Sequence, residues 1–419
     1  MMPQRLHIAH FTNTYHPLVS GVVRSVSTFR QALVELGHQV FIFAQDAGDY
    51  EDEEPFIFRF PAIDLPAMHD FPLSIPFSPF VDKLIPSLKL DVIHSHHPFL
   101  LGHSAAHRAD DLALPLVFTF HTRYRDYSHY VGLNQEWVKH TIDRIISDYM
   151  RRCQHIVVPS ESMRQVIEET YGVTDRLTVV PTGIDLAPYR LADGPAVRQR
   201  RGWGQDKVLI SVGRLAKEKN WPTLLAAVGQ VMKRRDDVRL VIVGEGEERE
   251  NLTASVQQAG LAERIEFAGL LPMDQVAAYL KAANLFCFAS VTETQGLVTM
   301  EALAAGLPVV AVDATGTRDE ISHEQEGLLT ENDSQALAQA IERVLADQDL
   351  YQKLRAAAEQ KAQTLEATVQ AKKLVTVYEQ AITDKKADRV VPVEAYQPMF
   401  ELVKNQWRQI TGGEKKAET

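Results

Sequence analysis

Cysteine is almost absent from this chain: two residues, Cys153 and Cys287, in 419. They lie far apart and form neither a disulfide framework nor a metal-binding spacing. Each sits in an apolar run, so both are expected to be buried free thiols in a reducing compartment. No apolar stretch approaches the roughly 20 residues of a membrane-spanning helix. The start, Met1-Met-Pro-Gln-Arg-Leu, lacks the apolar segment of a secretory leader. A cytoplasmic protein is expected. Peripheral contact with the cytoplasmic face of a membrane stays open, because it needs only a patch or an amphipathic helix. Excess positive charge is also missing. The net charge is −11, which argues against a nucleic-acid partner.

What is present is a large hydrophobic complement, 45% of 419 residues, enough for about two to three domains. Strand-like apolar runs alternate with helical patterns. In the first half, Leu6–Phe11, Gln39–Ala44, Val92–His94, Leu116–Phe120 and His155–Pro159 read as strands, and Gly21–Leu36 reads as a helix stopped by Gly37. The pattern restarts with strands at Lys207–Val212, Arg239–Val243, Ile265–Phe267, Leu285–Ala289, Val309–Val312 and Gly327–Leu329. Helices are read at Trp221–Lys233, Glu247–Ala259, Ser334–Ala346 and Leu350–Thr364. Such alternation predicts an α/β protein of two doubly wound halves, each a mainly parallel sheet covered by helices. The boundary is placed in Leu186–Gln205, rich in Pro, Gly, Arg and Asp. Phe56–Pro86 is dense in proline, which prevents regular helix, and reads as an irregular, aromatic-bearing excursion.

The chemistry concentrates at strand ends, where open α/β sheets bind ligands. After the strand Leu285–Ala289, Glu293-Thr-Gln-Gly-Leu-Val-Thr-Met-Glu301 reads as tight loop and helix start. A helix N-terminus beside Gly296 offers free backbone N–H groups suited to a phosphate, with Thr294, Gln295 and Leu297 flanking it. The carboxylates of Glu293 and Glu301 suit sugar hydroxyls. Gly213-Arg214, with Lys219 five residues on, brings cations to another strand end. There they could neutralise a departing diphosphate, although a solvated charge run explains Lys217–Lys219 equally well. Gly21 opens the first helix, where a ligand can approach the backbone. Gly244-Glu-Gly246 is too short a match for a dinucleotide fingerprint, which disfavours an NAD-dependent dehydrogenase, and reads better as a pocket wall. His121 ends a strand and can hydrogen-bond a sugar hydroxyl, or be an ordinary structural histidine. His94, His96 and His97 show no metal-binding spacing and receive no role.

In order and spacing, Gly21, His121, Pro181-Thr-Gly183-Ile-Asp185, Gly213-Arg214 with Lys219, Gly244-Glu-Gly246, and Glu293 with Glu301 resemble the retaining glycosyltransferases of family four. The resemblance spans about residues 6 to 382. It implies the GT-B fold: an acceptor-side domain over residues 1–190 and a donor-binding domain over 191–368, facing across a cleft. Residues 369–419 would return to the first domain through a crossover helix at Val369–Ile382. By the same resemblance Arg214 and Lys219 hold the diphosphate, Glu293 the transferred sugar and Glu301 the ribose. The N–H groups of Gly296 and Leu297 meet the phosphate, and His121 and Gly21 border the sugar and phosphate. No cofactor or metal is implied. Presence of Glu293, Arg214 and Lys219 disfavours a non-catalytic nucleotide-sugar binder.

Within the family, Thr-Glu293-Thr-Gln-Gly, Phe-Thr-Asn-Thr-Tyr-His-Pro near the start and Phe-His121-Thr-Arg-Tyr-Arg-Asp-Tyr look like the diacylglycerol glucosyltransferase branch. That branch implies UDP-glucose as sugar donor and a lipid hydroxyl as acceptor. Tyr124–Val131 and the proline-rich excursion would then face the lipid. A soluble carbohydrate or polyol acceptor, or GDP-mannose as donor, is the alternative. The first half carries more acidic than basic residues, chiefly from the run 46–54, which weighs against docking on an anionic surface. Arg123, Arg125, Lys139, Arg144, Arg151 and Arg152 are the cations that would have to gather for it.

Overall fold

The protein is described here from a computed structural model covering residues 5–63, 73–75, 78–125 and 135–393. Most of the proline-rich stretch, of the segment 124–131 and of the tail after 393, each given a place above, lies outside these residues.

The first domain is built on a seven-stranded parallel sheet. Its strands are β1 (His7–Thr12), β2 (Gln39–Gln45), β3 (Ile57–Phe60), β6 (Val92–Ser95), β7 (Leu116–Thr119), β8 (His155–Val158) and β9 (Leu177–Val179), in the order β3-β2-β1-β6-β7-β8-β9. A separate two-stranded ribbon pairs β4 (Ala62–Ile63) with β5 (Leu73–Ser74). Side chains alternate across a strand, and here both faces are buried. Ile8, Val92 and Val117 pack toward α1 (Gly21–Glu35). Ala9, Phe11, Ile93 and Phe118 pack on the other side, toward α3 (Leu101–Asp111) and α4 (Gln135–Met150). The helices α2 (Pro79–Leu84) and α5 (Glu161–Tyr171) complete this domain. Strand β3 falls inside the stretch expected to be irregular. The prolines there lie after it, so Ile57–Phe60 can pair with β2.

The connection holds two short helices where the sequence suggested a plain linker: α6 (Ala187–Leu191) and α7 (Gly194–Arg201). Asp193 caps α7 by accepting from the N–H of Ala196 at 3.0 Å. Proline in the first turn costs nothing, because its missing N–H has no intrahelical partner there. Ile184, Leu186, Tyr189, Val197 and Trp203 all join the core of the second domain.

The second sheet has six parallel strands: β10 (Lys207–Val212), β11 (Val238–Val243), β12 (Ile265–Gly269), β13 (Leu285–Phe288), β14 (Val309–Val312) and β15 (Gly327–Thr330), in the order β12-β11-β10-β13-β14-β15. One face is covered by α8 (Trp221–Arg234), α9 (Arg249–Gln258) and α13 (Ser334–Ala346), through Leu224, Val228, Leu252 and Ile341. The other is covered by α10 (Met273–Ala282), α11 (Leu297–Ala304) and α14 (Gln348–Thr364), with the short α12 (Thr317–Glu320) at the edge. The chain then returns as α15 (Ala367–Lys386), whose Leu374, Val377, Tyr378 and Ala381 pack into the first domain. The two crossings touch: Ile184 N–H donates to the Leu365 carbonyl at 2.8 Å, and Ala367 N–H to the Ile184 carbonyl at 2.9 Å. Both cysteines are buried and unpaired. No described helix is long and apolar enough to cross a membrane.

Candidate active site

Topology decides where a ligand can enter. In the second sheet the chain adds β11 and β12 on one side of β10, then crosses to place β13 on the other. The loops leaving β10 and β13 therefore diverge, opening a crevice at this switch point. Those two loops carry Arg214 and Lys219 on one side and Glu293 on the other. Lys219 Nζ meets Glu293 Oε1 at 2.5 Å, and the same oxygen accepts from Ser290 Oγ at 2.6 Å. Asn220 ties the loops at their base, its Nδ2 donating to the Ala289 carbonyl at 3.1 Å. Lys219 and Glu293, 74 positions apart in sequence, thus form one polar group, which no local pattern specifies. Arg214 is 65% exposed and paired with Glu218.

Helix α11 begins at Gly296 with no side chain capping its first turn, so its leading N–H groups are available to an anion. Two buried hydroxyls beside helix starts, Thr299 Oγ1 in α11 and Thr317 Oγ1 in α12, have no partner among the described residues. Gly316 sits under the loop with φ +76°, and a Cβ there would lie 2.6 Å from the Cβ of Glu293. Only glycine lets the turn before α12 support Glu293 this closely.

Gly244 is a packing requirement. Its φ is +142°, and a Cβ would come within 2.0 Å of the Gly213 carbonyl oxygen. The loops after β10 and β11 are pressed together there, which accounts for Gly244; a Cβ on Gly213 would make only an ordinary contact, 3.7 Å from Trp221 Cζ2. Gln295 also differs from a ligand-facing residue. It is buried, its Oε1 accepts from Thr182 N–H at 3.0 Å, and its Nε2 donates to the Thr182 carbonyl at 3.1 Å. It clamps the loop to the interdomain connection. The Thr294 carbonyl accepts from Ser160 Oγ at 2.7 Å, so the loop is held from the first domain as well.

Two predicted residues meet across the cleft. A Cβ on Gly21, at the start of α1, would contact Leu297 Cδ1 at 3.8 Å. One turn further along α1, Arg24 forms an ion pair with Glu301. Burial opposes the charge of Arg24, but Glu301 and the Tyr189 hydroxyl beside it outweigh this and raise its pKa. Arg24 belongs to no motif of its own, and the one signal for it in the sequence is its place three residues after Gly21 on the same helix face.

His121 is buried just beyond β7. Its Nε2 bonds His96 Nδ1 at 2.9 Å, and His96 Nε2 bonds His10 Nδ1 at 2.8 Å. Burial, with minor repulsion from neighbouring histidines, pushes His121 down to about 3, so it is neutral near pH 7. Of the cations considered for a membrane-facing patch, Arg125, Lys139, Arg144, Arg151 and Arg152 each have a carboxylate partner within 3.9 Å. Arg144 and Arg151 share Asp148, so five cations face four carboxylates and most of their positive charge is locally compensated.

Two facing Rossmann-like domains, a crossover helix and a polar cluster at the second switch point define a GT-B glycosyltransferase. The comparisons agree. The family model described as Glycosyl transferases group 1 matches residues 195–361, and Glycosyltransferase Family 4 matches residues 19–188. An alpha-monoglucosyldiacylglycerol synthase of Streptococcus pneumoniae is 32% identical over 357 residues, covering 82% of this chain and 80% of the relative. A GDP-mannose-dependent alpha-mannosyltransferase of Corynebacterium glutamicum is 28% identical over 338 residues, 77% of this chain and 76% of that one. Among solved structures, Anabaena HepE in complex with UDP and glucose superposes with a TM-score of 0.72 at 20% identity, covering 90% of this chain and all of that one. The chain belongs to the group 1, family 4 glycosyltransferases.

Proposed function

We propose that this enzyme transfers glucose from UDP-glucose, with retention of configuration and without a metal, to a hydroxyl of diacylglycerol or a related glycolipid. The observation that carries the reading is the Lys219–Glu293 pair at the switch point, beside the uncapped start of α11. In this reading the diphosphate lies against the N–H groups of Gly296 and Leu297, with Arg214 and Lys219 supplying positive charge. Glu293 holds hydroxyls of the glucose and Glu301 those of the ribose. The bond from the anomeric carbon to the phosphate oxygen breaks, and the bond to the acceptor oxygen forms on the same face. The acceptor proton passes to the departing diphosphate. Charge that develops on the leaving group is met by fixed cations, which is where electrostatic catalysis has its largest effect.

The glycolipid acceptor draws support from the named Streptococcus relative and from Val19, 99% exposed in the loop before α1 at the cleft. A second reading, mannose from GDP-mannose or a soluble acceptor, draws on the mannosyltransferase relative and on the carboxylate-paired cations Arg144, Arg151 and Arg152 in and just after α4. A hydrolysis screen across UDP- and GDP-sugars, followed by addition of diacylglycerol in mixed micelles, separates them. The expected result is preferential turnover of UDP-glucose and a glucosylated lipid. Faster turnover of GDP-mannose, or transfer only to water-soluble acceptors, selects the second reading.

A further inference from the structure

Four histidines form a continuous hydrogen-bonded file in the first domain. They arise from strand periodicity: His10 on β1 is in register with His94 on β6, and His96 and His121 follow at two-residue spacing after His94 and Thr119. All therefore face the side of the sheet covered by α15, which contributes Tyr378. The contacts run Thr119 Oγ1 to His94 Nε2 at 2.6 Å, His94 Nδ1 to Tyr378 Oη at 2.7 Å, and Tyr378 Oη to His10 Nε2 at 3.3 Å. They continue from His10 Nδ1 to His96 Nε2 at 2.8 Å and from His96 Nδ1 to His121 Nε2 at 2.9 Å.

The atom pairing has a strict consequence. A neutral imidazole has one N–H and one lone pair, and the tyrosine has one O–H. Every link joins opposite nitrogens of successive rings, so one proton per link forces a single polarity. All four histidines must carry the proton on the same nitrogen. Burial keeps the set neutral, holding His10 down to about 3 and His94 and His96 well below the ordinary value. With every proton on Nε2, the buried Thr119 hydroxyl would accept from His94 and need another acceptor for its own proton. No such acceptor is seen among the described residues. With every proton on Nδ1, Thr119 donates to His94, each link is satisfied, and the one unshared donor is the terminal His121 Nδ1–H, a nitrogen that is not among the fully buried, unpartnered side-chain atoms and so stays open to solvent or a ligand. Buried donors are rarely left unpaired, which selects the second polarity.

We propose that Tyr378, His10, His94 and His96 are positioning residues that fix His121 as a hydrogen-bond donor toward the transferred sugar, with all four imidazoles protonated on Nδ1. The proposal rests on the reading above that His121 borders the sugar. It also gives α15 a role beyond packing, because the returning helix supplies the hydroxyl that joins the two parts of the file. His10, His94 and His96 place three ring nitrogens within 4.8 Å of one another, a spacing that a metal ion could use. Their hydrogen bonds to one another and to Tyr378 and Thr119 favour the proton file.

The test is long-range proton–nitrogen NMR of the intact enzyme carrying isotope-labelled histidine, with no substrate added. Four Nδ1–H tautomers at His10, His94, His96 and His121 are expected. A mixture among them, four Nε2–H tautomers, or a stoichiometric transition metal in the purified protein overturns the proposal. Tyr378→Phe should release the tautomers of His10, His96 and His121, although the phenol does not touch His121. It should also lower kcat about three- to tenfold, the worth of one hydrogen bond, with the KM for the sugar donor retained. An unchanged His121 tautomer in that variant also overturns it. His121→Ala with unaltered transfer kinetics would instead remove the sugar-facing reading and leave the tautomer pattern standing.

Discussion

Arg24 of the first domain and Glu301 of the second are ion-paired across the cleft, and the Glu301 side chain is 2% exposed. The carboxylate assigned to the ribose is thus already engaged by the opposite domain. Occupation of the cleft by a nucleotide would require Arg24 to yield or to share. Glu301→Gln is expected to weaken UDP binding about 10- to 100-fold, the worth of a hydrogen bond to a charged group, measured by titration calorimetry. Arg24→Ala should leave UDP affinity unchanged or increased, because it removes a competitor. Equal losses in both variants would place Arg24 inside the nucleotide site.

Lys219→Ala should lower kcat by about 100- to 1000-fold, comparable to removing one preorganised donor from a charge-stabilising site. Glu293 retains Ser290 as a partner, so the melting temperature should fall far less than the activity. Proportionate losses of melting temperature and turnover would make the pair a packing feature.

Gly316→Ala places a methyl against Glu293 and forces a side chain into the left-handed region. Gly48, at φ +61° with open space where a Cβ would lie, is the control. Gly48→Ala should cost only the backbone penalty, about 1–2 kcal/mol. Gly316→Ala should cost more in chemical denaturation and should also abolish transfer, because Glu293 must shift. Indistinguishable variants would remove the argument for close packing under the loop.

The buried histidines make an acid-labile fold. His10 and His121 are held down to about 3 and His97 to about 4, chiefly by burial. The unfolded chain takes up protons near the ordinary histidine value of about 6.5, while the native chain does not until well below that. Their contribution is therefore complete above about pH 6.5 and is lost as the pH falls toward about 3–4. Each such group removes about 1.4 kcal/mol per pH unit within that window. Thermal melts should be nearly flat from about pH 8 to 7 and fall steeply below about 6. A level profile down to about pH 5 would contradict the neutral, buried set.

The secondary structure was largely legible because its signals are local. Lys207–Val212 and Val309–Val312 are apolar runs bounded by turn residues, and Ser334–Ala346 is a periodic helix capped by Asp333. Helix α7 was hidden because Gly194 and Pro195 resemble a linker, whereas at a first helical turn they follow an Asp cap at no cost. Strand β3 was hidden by the prolines after it. The candidate site was legible as residue types, with Arg214, Lys219, Glu293 and Glu301 all visible. Their partners were not. Arg24 with Glu301, Gln295 with Thr182, and Gly244 against Gly213 depend on how separate loops meet.

Local pattern was enough to establish an α/β chain of two restarting halves, its family resemblance and the placement of its charged motifs at strand ends. Periodicity and turn residues act over a few positions, which is why they can be read without coordinates. Three-dimensional packing was needed to bring Lys219 to Glu293, to cover Glu301 with Arg24, and to align histidines from three strands with Tyr378 of the returning helix. Those relations follow from strand order and register, which join residues far apart along the chain.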